Sequence, residues 1–212
     1  MPDAPITRLM LITPALDEID AFEAALEAAV AAGDVAAVVI RLAPADDRTR
    51  LSRAKTLVEA AQAEGAAALL AGDGVEDLVG KSGADGFHAD DAASAIEAIE
   101  RFRPEKIVGC GPLVSRDEAM AVGEAGADYV LFGDDFGGRP FAETLERVAW
   151  WVPIFQTPCV GVAQTLDDVS ALAGERVEFA ALGEAVWRHA EGPASATAMA
   201  GSMIALAKAP AP

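Results

Sequence analysis

Short apolar runs alternate with longer amphipathic stretches along the whole chain. Arg8 to Ile12 reads as a strand that Thr13-Pro14 breaks. Asp17 to Ala32 reads as a helix, because Ile19, Phe22, Leu26 and Val30 recur on one face. Gly33 is expected to end it as a C′ residue. Val35 to Leu42 is a continuous β-branched run, the mark of a strand buried on both faces. The phrase then repeats. Helices are predicted over Asp47 to Glu64, Val75 to Lys81, Asp91 to Phe102, Ser115 to Ala125, Arg139 to Trp151, Leu166 to Ala173 and Pro193 to Lys208. Strands are predicted over Ala66 to Ala71, Asp85 to His88, Lys106 to Cys110, Tyr129 to Phe132, Pro158 to Val162 and Glu178 to Leu182.

Eight strand candidates, each followed by a helix candidate, call for a parallel sheet with helical crossovers. Eight such units in 212 residues point to a closed (β/α)8 TIM barrel, a single domain with its core over about 8–206. A flavodoxin-like open sheet is the alternative. The 52% hydrophobic content fills a sizeable core, and with only 6% aromatics that core is built from Val, Leu, Ile and Ala. Trp150, Trp151 and Phe155 are expected to pack a helix on the barrel, with a dimer contact as the other reading of the cluster. The oligomeric state is not set by the pattern. The Ala-Pro-Ala-Pro end is expected to fray.

The formal net charge of −18 argues against nucleic acid, whose phosphates need clustered Lys and Arg, and against an anionic membrane surface. No apolar run reaches the ~18 residues of a membrane span, and Met-Pro-Asp-Ala-Pro has no leader character, so a cytoplasmic protein is expected. Cys110 and Cys159 form no CxxC motif and are expected to be buried free thiols. There is no GxSxG, Walker loop or GxGxxG after the first strand.

In a closed parallel barrel, functional groups collect at the C-terminal ends of the strands. Arg41 ends the strongest strand and suits bidentate phosphate binding, or pairing with Asp46 or Asp73. Asp73, Asp90 and Asp91 follow the third and fourth strands. They form a candidate Mg²⁺ set, since that ion takes one or two carboxylates and fills its other positions with water and phosphate. Asp90 or Asp91 also suits a helix cap. His88 is a candidate site residue or a satisfied hydrogen-bonder inside the barrel, and His189 offers no second zinc ligand by spacing. Asp134-Asp135-Phe-Gly-Gly reads as a solvated turn or an acidic lid.

Gly83-Ala-Asp-Gly-Phe-His88 resembles the GADGVH segment of thiamine phosphate synthases and their TenI relatives. Lys106-Ile-Val-Gly-Cys-Gly111, Arg116-Asp-Glu-Ala119 and Gly126-Ala-Asp-Tyr-Val-Leu-Phe-Gly133 resemble the run that follows it in that family, and the resemblance extends from about Leu9 to about Leu206. It implies a reaction in which a hydroxymethylpyrimidine pyrophosphate loses pyrophosphate and the nitrogen of a thiazole phosphate captures the pyrimidine. Phosphorylated thiamine precursors would be the partners and Mg²⁺ the cofactor. Arg41 matches the family arginine, while Val39 and Ala43 stand where the family has Gln and Lys. Of the family's Asn-Asp-Arg only Asp73 survives, and Asp90 or Asp91 takes the second metal position. By resemblance Gly111, Arg139, Gln164, Thr165 and Gly183 fall on the phosphate-binding side. Gly111 there replaces a serine, Arg139 stands in for a lysine, and Gln164-Thr165 replaces a glycine pair. Cations are lost and acids such as Glu184 gained, so weakened or lost synthase activity is expected. The alternatives are a non-catalytic binding barrel and a TenI-like isomerase using His88 as a catalytic residue.

Overall fold

The computed structural model describes residues 7–134 and 138–207. Eight parallel strands close on themselves: β1 (Arg8–Leu16), β2 (Val35–Leu42), β3 (Ala67–Ala71), β4 (Gly86–Ala89), β5 (Ile107–Cys110), β6 (Tyr129–Phe132), β7 (Cys159–Ala163) and β8 (Phe179–Leu182). Leu9–Leu11 of β1 pairs with Ala180–Leu182 of β8, which excludes an open sheet. The strands are separated by α1 (Asp20–Ala31), α2 (Asp47–Ala63), α3 (Glu76–Ser82), α4 (Ala92–Phe102), α5 (Arg116–Ala125), α6 (Phe141–Trp151) and α7 (Asp168–Gly174). A short α8 (Glu184–Trp187) and a longer α9 (Pro193–Ala207) follow β8. No described helix is long and apolar enough to cross a membrane.

Period-two alternation divides each strand between two cores. Met10, Ile12, Val39, Leu69, Leu131, Val160 and Val162 fill the barrel interior. Their neighbours Leu9, Leu11, Val38, Ile40, Leu70 and Phe132 pack outward on the helices. Trp151 belongs to the outer core, stacked on Phe155 at 4.0 Å and edge-on to Phe132 at 5.8 Å. It seats α6 on the barrel.

Both Gly-Ala-Asp segments perform one structural task. Gly83 and Gly126 close α3 and α5 in the left-handed region, at φ 84° and 96°. The aspartate that follows then closes a ring with the neighbouring strand. Asp85 donates its N–H to the Ala68 carbonyl, and its carboxylate accepts from the Ala68 N–H, both at 2.8 Å. Asp128 does the same with Val108, at 2.8 Å in each direction, and also pairs with Arg103. These groups satisfy strand-entry amides at the end of the barrel opposite the mouth.

Several boundaries differ from the sequence expectation. Thr13-Pro14 does not break β1. The strand continues to Leu16 across a register shift between Ile12 and Ala15, because the Thr13 hydroxyl accepts the Arg41 N–H at 2.9 Å in place of a ladder carbonyl. α1 starts at Asp20 and α6 at Phe141, each later than the pattern indicated. The four-residue α8 is too short to show a period. Lys208 and the Ala-Pro-Ala-Pro end lie outside the described residues.

Candidate active site at the barrel mouth

The alternation that fills the interior also delivers side chains to the rim. On β2, Ala37 and Val39 point inward and Arg41 is next in phase; on β4, Gly86 and His88 lead to Asp90. Arg41 and Asp90 line one cavity of about 310 Å³ with Ile12, Pro112, Leu131, Gly133, Asp134 and Val162. A larger hollow beside α1, lined by Asp17–Phe22, Ala25 and Arg53, contains none of the inward rim side chains. It has a poorer claim to chemistry.

Charges are concentrated around Asp90. Burial pushes its carboxyl up, Arg41 pulls it down, and the Asp73 and Asp91 carboxylates push it up further. Asp73 is held from the side. The Arg50 guanidinium on α2 donates to the Asp73 carbonyl at 2.7 Å and fixes the Gly72-Asp73-Gly74 turn. Nothing in the sequence pairs Arg50 with that turn. Asp91 does a different job from the metal role considered for it. One oxygen accepts the Ser94 N–H at 2.9 Å and the other the Ser94 hydroxyl at 2.7 Å, so it is the N-cap of α4. Among the described residues no group of three or more His, Cys, Asp or Glu is gathered as a metal cage. Asp73 and Asp90 remain as two carboxylates that interact through charge, hard oxygens of the kind Mg²⁺ takes.

His88 is engaged on both nitrogens inside the barrel. It is 1% exposed, with Nδ1 2.7 Å from the Tyr129 hydroxyl and Nε2 3.0 Å from the Gly111 carbonyl. A carbonyl can only accept, so Nε2 carries the proton and donates it there, while Nδ1 accepts from Tyr129. Burial, with Arg41 nearby, pushes the imidazole down to about 4, and it is neutral at pH 7. Both ring nitrogens are engaged within the protein, as in the reading of His88 as a satisfied hydrogen-bonder inside the barrel. The Tyr129 ring fits only because Gly109 opposite has no side chain. A Cβ there would come within 1.9 Å of it. The His88 bond to Gly111 in turn seats Pro112, which lines the cavity.

On the β5–β8 side of the rim, several of the groups considered for an anion have partners within the protein. Gly111 gives its N–H to the Ala89 carbonyl at 3.0 Å and its carbonyl to His88, so it has no backbone group for a phosphate. The Gln164 and Thr165 N–H groups both donate to the Asp168 carboxylate, at 3.1 and 2.8 Å. The Gln164 side-chain amide donates to the Arg139 carbonyl at 2.6 Å. The Arg139 guanidinium lies 3.7 Å from Glu143. Gly183 is buried, and its carbonyl accepts from Val186 and Trp187 in α8. The sequence reading missed Asp168. Its legible signal is the Thr165-Leu-Asp-Asp168 spacing of a capping box.

Asp134 lines the cavity and accepts the Gly138 N–H at 3.0 Å, whereas Asp135–Gly137, the centre of the acidic loop, lies outside the described residues. Cys110 and Cys159 are buried and free; burial pushes the Cys110 thiol up to about 12 and Cys159 higher than usual.

Comparisons with known proteins agree with this barrel. The family profile described as thiamine monophosphate synthase matches residues 9–186. A thiamine-phosphate synthase of Rhodospirillum centenum is 36% identical over 197 residues, covering 90% of this chain and 94% of the relative. One from Hyphomonas neptunium is 34% identical over 202 residues, covering 91% of each. The solved thiamine phosphate pyrophosphorylase of Pyrococcus furiosus superposes with a TM-score of 0.80 at 21% identity, covering 97% of this chain and 99% of that one, a likeness of fold.

Proposed function

The chain belongs to the thiamine monophosphate synthase family, and from that premise we propose that its mouth carries out a synthase-type transfer from a hydroxymethylpyrimidine pyrophosphate, at a rate reduced by the loss of rim cations. The observation that carries this reading is that Arg41 and Asp90 line one cavity. In the reaction the pyrimidine methylene carbon loses its C–O bond to pyrophosphate, which departs with the electron pair. The thiazole nitrogen then forms the new C–N bond and becomes quaternary.

Arg41 meets the departing pyrophosphate as a fixed planar donor, and such positioned charge is the main source of rate in a leaving-group reaction. Asp73 and Asp90 are the residues that would hold Mg²⁺, which when bound supplies charge neutralisation to the pyrophosphate. Ile12, Leu131 and Val162 give the cavity an apolar floor that keeps water from the reactive carbon. An isomerase working through His88 has against it the engagement of both ring nitrogens.

The test is steady-state pyrophosphate release from the pyrimidine donor with a thiazole acceptor, with and without Mg²⁺, together with thermal unfolding of the protein with donor and Mg²⁺. Slow, Mg²⁺-dependent release and a donor-dependent rise in melting temperature are expected. Absence of both would reject the reading and leave a barrel that binds something else.

A further inference from the structure

We propose that Thr13 is a positioning residue for Arg41. Its buried hydroxyl, with Trp187 holding the other side of the β1 bulge, fixes the strand end that carries the guanidinium into the cavity. The role rests on the transfer reading above, in which Arg41 meets the departing pyrophosphate.

From Ile12 to Ala15 β1 advances three residues, while β2 advances two, from Val39 to Arg41. At this irregularity the Arg41 N–H meets a side chain. Thr13 is 0% exposed, and its hydroxyl accepts the Arg41 N–H at 2.9 Å. The same hydroxyl gives its one proton to the Pro14 carbonyl at 2.9 Å, so toward Arg41 it can only accept. On the other side of the bulge the Ile12 carbonyl accepts the Trp187 indole N–H at 2.6 Å. Trp187 in turn packs against Phe22 of α1, with ring centroids 4.7 Å apart.

The two backbone groups held by these side chains belong to Ile12 and Arg41, and both residues line the cavity. On its other edge Arg41 pairs with Ala71 in the regular β2–β3 ladder. With one edge on a ladder and the other on a hydroxyl, Thr13 sets where the Arg41 side chain starts from. Bulges re-aim side chains in this way. A misplacement of about 1 Å at a reacting group can cost about 10²-fold in rate.

The experiment measures pyrophosphate release from the pyrimidine donor with Mg²⁺ and a thiazole acceptor, and hydrogen exchange at the Arg41 backbone amide. Thr13→Val keeps the shape of the side chain but cannot accept a hydrogen bond. It is expected to lower kcat/KM about tenfold or more, and to speed exchange at the Arg41 amide about fivefold or more. Thr13→Ser keeps the hydroxyl and should stay within about threefold of wild type in both readouts. Trp187→Phe keeps a ring against Phe22 but loses the N–H. It should lower kcat/KM by about threefold and speed the same amide, and it decides the point if Thr13→Val fails to fold. Added to Arg41→Ala, Thr13→Val should lower kcat/KM no further, because nothing is left for it to aim. A loss that multiplies with that of Arg41→Ala marks a general structural role and overturns the proposal. So does a folded Thr13→Val or Trp187→Phe protein with unchanged turnover and exchange, or a Thr13→Ser protein as impaired as Thr13→Val. Wild-type protein that releases no pyrophosphate tells against the transfer reading instead, and exchange at the Arg41 amide then decides whether Thr13 holds Arg41.

Discussion

The two halves of the barrel rim are built from the same kind of strand end and reach opposite outcomes. Around β2–β4, Arg41, Asp73 and Asp90 bring charge toward one place, and Asp90 responds to both neighbours. Around β7–β8, the Gln164 and Thr165 N–H groups and the Gln164 side-chain amide are satisfied from inside the protein. The difference lies in what each turn does with its acids. Asp91 is absorbed as the cap of α4 and Asp168 by the N–H groups of the Gln164-Thr165 turn, whereas Asp90, one residue before a cap, lines the cavity. A barrel can therefore keep one half of a site responsive while folding energy claims the other.

The largest expected effect tests that asymmetry directly. Arg41→Ala should lower kcat/KM for the pyrimidine donor about 10²–10³-fold, the usual loss when one positioned donor to developing charge is removed. Arg139→Ala on the opposite half should change it by less than about threefold, because that guanidinium sits in an exposed pairing with Glu143. Equal losses in steady-state pyrophosphate release would break the comparison.

Next comes the floor that both halves share. The His88 imidazole is held at about 4 by burial, below its ordinary 6.5. In the unfolded chain it takes up a proton near pH 6.5, and in the folded protein only near pH 4. The unfolded state thus binds more protons between those values. Stability is full above pH 6.5, falls as pH drops toward 4, and loses roughly 3 kcal/mol from this group across that window. Urea unfolding at several pH values should show a shallower acid slope for His88→Gln than for wild type. Identical slopes would mean the ring is protonated in place, and the floor is not fixed as described.

A smaller change concerns the metal pair. Asp73→Asn should raise the Mg²⁺ concentration for half-maximal donor turnover by about tenfold, the scale of loss seen when even an outer partner of a metal site is removed. Asp91→Asn should leave it unmoved, since asparagine also caps helices. Titrating Mg²⁺ in both variants separates the two carboxylates, which both act on Asp90 through charge but differ in role.

The barrel was legible in the sequence because its cause is periodic. β2 spans Val35–Leu42 as read, since a run buried on both faces has one signature. The Gly-Ala-Asp pair carries the family likeness most clearly, yet its aspartates bind strand amides at the far end of the barrel, so that likeness speaks to fold before chemistry. At the mouth, Arg41 and Asp90 could be singled out because functional groups collect at the C-terminal ends of barrel strands, and the two line one cavity. What stayed hidden depends on long-range partners. The Arg50 grip on Asp73 spans 23 residues, and the locking of His88 needs Tyr129 beside a missing side chain at Gly109. Thr13-Pro14 looked like a break because proline removes a ladder donor, but a hydroxyl in the bulge maintains the pairing.

The smallest predicted effect bears on what holds the β7 turn together. In a capping box the hydroxyl and the acid each satisfy a backbone N–H. Here the two shares are unequal. The Thr165 hydroxyl reaches the Asp168 N–H only at 3.4 Å, whereas the Asp168 carboxylate takes two N–H groups at 3.1 and 2.8 Å. Thr165→Ala should therefore cost only about 0.5 kcal/mol, the low end for loss of a cap. Asp168→Ala should cost more, because it strips two charge-assisted bonds from a part-buried turn. Denaturant unfolding of the two variants checks the order. If Thr165→Ala proved as damaging as Asp168→Ala, the hydroxyl and not the charge would hold this turn, and the contrast between the two halves of the rim would lose its electrostatic basis.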